Sequence, residues 1–204
     1  MTTIFHIPHS STFIPNEYRE DFCLSDTELK EEIRQMTDWH TAELFGEASG
    51  SLGHSVELPV SRLLVDPERF PNDNDECMSK IGMGVLYTHT SHGERLRYEG
   101  LDKGKRRVQL IDNYYRPHHD RLQELSEKML SKHGEVAIID CHSFPSTPLP
   151  YELDQNPERP DFCLGTDDFH TPVGLADTIK NALEAIGYKV QINRPFAGAL
   201  TPLK

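Results

Sequence analysis

The stretch EVAIIDCHS, residues 135–143, is a short apolar and β-branched run between Gly134 and a group of polar residues. Its length and missing alternation predict a central parallel strand, buried on both faces. Upstream, residues 108–133 (VQLIDNYYRPHHDRLQELSEKMLSKH) carry apolar side chains at three- and four-residue steps and close on Gly134, which predicts a helix in spite of Pro117. Downstream, Leu175, Ile179 and Leu183 line one helical face after Thr171-Pro172, Gly187 ends that helix, and YKVQIN follows as a strand.

The N-terminal half repeats the alternation. Residues 4–8 read as a strand ending at Pro8, ELKEEIRQM from Glu28 as a helix behind the cap signals Ser25 and Asp26, and WHTAELFGEA as a helix after Asp38. HSVELPVSRLLVD, residues 54–66, is expected to be extended and bent at Pro59. Residues 67–106 are rich in Pro, Gly, Asn and charge and read as one long excursion, the kind of loop that is usually functional. Alternating strands and helices predict an α/β protein with a three-layer α/β/α sandwich around a mixed, mostly parallel sheet. Without internal repeat or linker, residues 1–204 are expected to form a single domain.

Composition narrows the partners. A formal charge of -12 disfavours nucleic acid and anionic membranes. The basic run Lys103–Arg107 is short and reads as a solvated face or as a contact for an anionic small molecule. No stretch has the apolar length of a membrane helix, and the N-terminus lacks a signal-peptide pattern, so a cytoplasmic protein is expected. Cys23, Cys77, Cys141 and Cys163 are far apart, which suggests reduced thiols.

In open α/β sheets, ligands collect beyond the carboxyl ends of strands. Two predicted strands lead there into histidine, His9 and His142, and Asp38 opens a predicted helix between them. Two imidazoles and a carboxylate form a set that catalytic zinc uses, with a fourth position open. Each residue also has a plainer reading: His9 as a loop histidine bonded to backbone, Asp38 as a helix N-cap. His40 lies about 200° from Asp38 if both are helical, and is assigned to the surface. Asp140 shares a strand face with His142 and either orients that imidazole or caps nearby amides. Cys141 points to the opposite face, which argues against a Cys/His nucleophile pair.

Seven blocks then resemble one family in order: IPHSS (7–11), TDWHTAELF (37–45), SRLLVDPERF (61–70), GMGVLYT (82–88), YYRPHHDRL (114–122), DCHSFPS (140–146) and RPDFCLGT (159–166). They are similar to the N-formylglutamate amidohydrolases, which are related to the zinc carboxypeptidases and aspartoacylases. The resemblance implies a phosphorylase/hydrolase-like sandwich, zinc or another divalent metal on His9, Asp38 and His142, and hydrolysis of an N-acyl amino acid. The expected substrate is N-formyl-L-glutamate, cleaved to formate and glutamate in histidine degradation. Asp66, Arg69, Arg116 and Arg159 also match the pattern. A dicarboxylate substrate calls for guanidinium partners, and Arg62, Arg69 and Arg97 are the candidates, with a loop-holding ion pair as the plainer reading of each. The family pattern continues beyond INRPFAGALTP (192–202) into a strand with a glutamate placed like the carboxypeptidase base. With Lys204 the last residue of this sequence, Glu152 in PLPYELD is the candidate general base. A family member that binds metal without turnover is the alternative.

Overall fold

The structure, a computed structural model, describes residues 2–198, and for residues 47–49, 51 and 52 the backbone alone. Lys204 and the end of the INRPFAGALTP block lie outside the described residues. The described residues form two compact units, residues 2–144 and 145–198.

The first unit is built on a parallel sheet of β1 (Thr2–Ile7), β2 (Gly53–Glu57) and β3 (Val136–Asp140) in the order β2-β1-β3. The centre of this sheet is therefore β1, not the 135–143 stretch. β3 is an edge strand of this sheet, with Ile138 and Ile139 exposed. Apolar character marks a strand but not its place in the sheet, because that depends on which partners pair with each edge. Gly53 is required by the pairing itself: a Cβ there would lie 1.9 Å from the Thr3 carbonyl oxygen of its register partner.

Side chains of β1 alternate between two helical layers. On one face Ile4 and Val56 pack against Leu122, Leu125 and Met129 of α4 (Arg116–His133). On the other, Phe5, Ile7 and Cys141 pack with Phe45 of α2 (Thr41–Leu52). Helix, sheet and helix make the three layers expected of the α/β class.

Local chemistry sets the helix ends. α1 (Asp26–Met36) starts behind Ser25, whose hydroxyl accepts from the Glu28 amide while the Glu28 carboxylate accepts from the Ser25 amide. The two free N–H groups are thus satisfied reciprocally. α2 begins only at Thr41: His40 adopts φ 68 and stands exposed beside Glu43, so Asp38 precedes the helix instead of capping it. The long helix expected over 108–133 is divided into α3 (Gly104–Leu110), a π-turn at Ile111–Tyr115, and α4. Pro117 explains the division, since it donates no hydrogen bond and its ring clashes with the carbonyl four residues earlier in regular α-helix. Gly134 ends α4 at φ 78, as its position in the sequence implied.

Residues 54–66 are extended only to Glu57; Leu58, Val60, Leu63, Leu64 and Val65 beyond it are buried in turns. The excursion over 67–106 contributes to the core through Met83, Val85, Leu86, Tyr87 and Leu96, with a short 3-10 helix at Cys77–Ile81.

The second unit pairs β4 (Phe162–Leu164) in parallel with β5 (Val190–Ile192) around α5 (Leu175–Ala185). α5 starts three residues later than the Thr171-Pro172 signal suggests, because the Thr171 hydroxyl accepts from the Asp167 amide and Gly174, at φ 79, becomes the N-cap.

Candidate active site

The loop after β1, the turn before α2, the loop after β2 and the segment after β3 bring His9, Asp38, Asp66, Glu68 and His142 together in the first unit. The Asp38 amide donates to the His9 carbonyl at 3.0 Å and the Ser143 amide to Asp38 Oδ2 at 3.4 Å, which joins the three chain segments.

Asp66 is fully buried and accepts from four donors. His9 Nε2–H donates to Oδ1 at 2.9 Å, as does the Glu68 amide at 2.9 Å, while Arg62 and the Tyr87 hydroxyl reach Oδ2 at 2.8 and 2.7 Å. Burial opposes ionisation of Asp66, but Arg62 and His9 outweigh it and hold its carboxyl well below the usual range. With its Nε2 proton fixed on Asp66, neutral His9 carries its lone pair on Nδ1. That atom is buried without a hydrogen-bond partner, and Asp38 Oδ2 stands 3.6 Å from it.

His142 spans two carboxylates: Nδ1 lies 2.8 Å from Asp38 Oδ2 and Nε2 3.2 Å from Glu68. Asp140 Oδ1 is 3.4 Å from His142 Nε2, so the pair shares a side as strand alternation implied. Against the cost of desolvation, Glu68 and Asp140 raise the His142 pKa well above its ordinary value. His9 is raised too, since Asp66 and Glu68 outweigh burial and Arg62. Burial likewise works against ionised Asp38, yet the hydrogen bond from His142, with His9 close by, holds its pKa below the usual range.

A divalent cation fits this donor set. His9, Glu68 and His142 offer ligand atoms that all lie within 4.8 Å of one another, and Asp38 touches both imidazoles. Four carboxylates (Asp38, Asp66, Glu68 and Asp140) face two guanidiniums, Arg62 and Arg69, so negative charge is in surplus and draws protons onto the imidazoles. A cation relieves that surplus and meets the vacant lone pair of His9. His6, Glu68 and Asp140 converge similarly, with Nδ1 of His6 on Asp140 and its Nε2 on His118.

The other expected residues have different partners. Arg62 is in the cluster, paired to Asp66 with its other nitrogen 3.8 Å from Asp38. Arg69 is partly buried, and its guanidinium donates to the Met83 and Glu68 carbonyls. Arg97, expected as a substrate contact, is fully buried and donates to the carbonyls of Tyr87, Leu63 and Leu64 and to Asp21. Its geometry is that of a core brace. Arg116 is exposed and pairs with Asp112. Glu152 belongs to the second unit, where it is buried, pairs with Arg159 and accepts from the Leu149 amide.

Sequence reasoning gave Glu68, Tyr87, His6 and His118 no role and left that of Asp66 open. One signal was present for His6: a histidine on the apolar side of IFHI, where burial demands partners.

Fold and cluster together define an α/β protein with a group of histidines and carboxylates that could hold a metal ion. A family model for N-formylglutamate amidohydrolase matches residues 1–204, and the chain belongs to that family. It is 28% identical over 201 residues to the N-formylglutamate deformylase of Pseudomonas putida, across 96% of this chain and 71% of that protein. It is also similar to the crystal structure of N-formylglutamate amidohydrolase from Ralstonia eutropha JMP134, with a TM-score of 0.80 and 25% identity over 97% of this chain and 74% of that one. Among the described residues, no helix is long and apolar enough to cross a membrane.

Proposed function

We propose that this chain hydrolyses N-formyl-L-glutamate to formate and L-glutamate, with a divalent metal, zinc by ligand type, held by His9, Asp38 and His142. The observation that carries the reading is the lone pair of His9 Nδ1, buried, unpartnered and facing Asp38, in a chain that belongs to this family. A bound divalent metal supplies Lewis acidity, which polarises an amide carbonyl and acidifies water.

The protein supplies the rest. Asp66 fixes the tautomer and ring orientation of His9, and Arg62 and Tyr87 in turn hold Asp66. Glu68, against both imidazoles, is the carboxylate of the first unit placed to take a proton from attacking water and pass it to the leaving nitrogen. Arg69 is the guanidinium we assign to a carboxylate of the substrate, because Arg97 is consumed by the core.

Metal content of the protein as purified, with formate release, tests the reading. The expected result is about one zinc per chain and formate from N-formylglutamate, with Glu68→Gln retaining metal while the rate falls by about 10² to 10⁴. Metal-loaded protein that releases no formate overturns the activity. Full turnover in Glu68→Gln and its loss in Glu152→Gln transfers the base to the second unit.

A further inference from the structure

Behind His142 a line of buried polar groups runs into the α4 layer. Register places His6 of β1 directly opposite Asp140 of β3. His6 Nδ1 lies 2.7 Å from Asp140 Oδ1, the oxygen that is 3.4 Å from His142 Nε2. On its other side, His6 Nε2 lies 2.7 Å from Nε2 of His118 on α4, and the two rings are 4.9 Å apart between centroids. His6 is fully buried and His118 nearly so, so these contacts do not compete with bulk water.

The proton positions follow from the partners. The Asp140 carboxylate faces His6 Nδ1 at 2.7 Å. An ionised carboxylate only accepts, so His6 Nδ1 carries a proton. Between the two Nε2 atoms one proton is shared, from His118 while His6 is neutral or from His6 while it is charged. In both arrangements Nδ1–H stays on Asp140. Burial, with His6 beside it, pushes the His118 pKa down to about 3, so His118 remains neutral and able to serve as that partner.

We infer that His6 is a positioning residue for the candidate metal site: it clamps Asp140, which orients His142, and His118 braces His6 from α4. The inference rests on the proposed metal role of His142. Groups behind a ligating imidazole commonly change metal affinity by about 10- to 100-fold when removed. His6 stands one contact further out, so an effect near the lower end is expected.

Two isosteric halves of the imidazole separate this role from simple packing. Asparagine places an amide near Nδ1 and keeps the contact with Asp140; glutamine places it near Nε2 and keeps only the contact with His118. Zinc affinity of the full chain, measured by competition with a chromophoric chelator, should fall by about 10-fold in His6→Gln and stay within about 3-fold of wild type in His6→Asn. The imidazole ¹H–¹⁵N signals of His142 in metal-free protein should move in His6→Gln and not in His6→Asn. Thermal melts confirm that both variants are folded, and His118→Asn, which withdraws the amide from the Nε2 position that meets His6, gives the same reading from the far end, with His142 signals shifted less than in His6→Gln. Equal zinc affinities and unmoved His142 signals in His6→Gln overturn the inference, as does an equal loss in both variants. Wild-type protein that takes up no zinc overturns the metal reading alone, and the His142 signals then decide the positioning role.

Discussion

Asp66 Oδ1 lies 2.9 Å from Nε2 of His9, and this single contact decides which nitrogen of His9 is open to a cation. Because Asp66 also gathers Arg62, Tyr87 and the Glu68 amide, its carboxylate is fixed before any ligand arrives. Replacing Asp66 with alanine should weaken zinc binding by about 10- to 100-fold, with asparagine losing less because its carbonyl still accepts from His9. Chelator competition checks this, and equal affinities in all three proteins would remove Asp66 from the site.

His9→Ala and His142→Ala should each lower bound zinc well below one per chain, since water must then complete the coordination sphere. Elemental analysis after dialysis against metal-free buffer measures it. Unchanged content in both variants contradicts the ligand assignment.

Arg69 and Arg97 should behave in opposite ways. Arg97→Ala leaves three buried carbonyls without their donor and Asp21 with Arg106 alone, a loss of about 3–5 kcal/mol, seen as a melting temperature lower by about 10 °C. Arg69→Ala should instead raise KM for N-formylglutamate by at least about 10-fold while the KM of a formyl amino acid without a side-chain carboxylate moves less. Equal increases for the two substrates would mean that Arg69 braces the loop.

Glu32 of α1 is buried beneath Ser91, whose amide and hydroxyl donate to its two oxygens at 2.6 and 3.1 Å. Burial raises its pKa in spite of these bonds and of nearby His92, and Glu94 adds to the rise. A carboxyl whose folded pKa exceeds the unfolded value costs stability above the folded pKa, and that cost disappears as pH falls below the unfolded value. Glu32→Gln should therefore melt higher than wild type near pH 8, with the difference closing near pH 4. Parallel melting curves across that range would show that the Glu32 carboxyl is not strained by its burial.

Cys141, buried with Phe5 and Ile7, has its thiol pushed up to about 12 by burial and the neighbouring Asp140 carboxylate. A disulfide reagent at pH 8 should label exposed Cys77 first and leave Cys141 untouched until denaturant is added. Mass mapping of the labelled sites distinguishes the two.

The sequence by itself determined what depends on neighbours along the chain. Ser25 and Glu28 are three residues apart and make their cap regardless of the remaining fold; Gly134 stops α4 because only a local backbone angle is at stake. That His9, Asp38 and His142 come close together was legible for a related reason, since strand ends are local features and a parallel sheet gathers them at one edge. Only the tertiary structure decided the partners. Arg62, Arg69 and Arg97 are the same residue type in one stretch, yet one joins the cluster, one lies along it and one disappears into the core, because their partners come from segments as distant as Asp21 and Met83. The contacts of His6 span 134 residues to Asp140 and 112 to His118. No periodicity encodes such a pair: it exists only once β1 takes the centre of the sheet, with β3 at its side and α4 across its face.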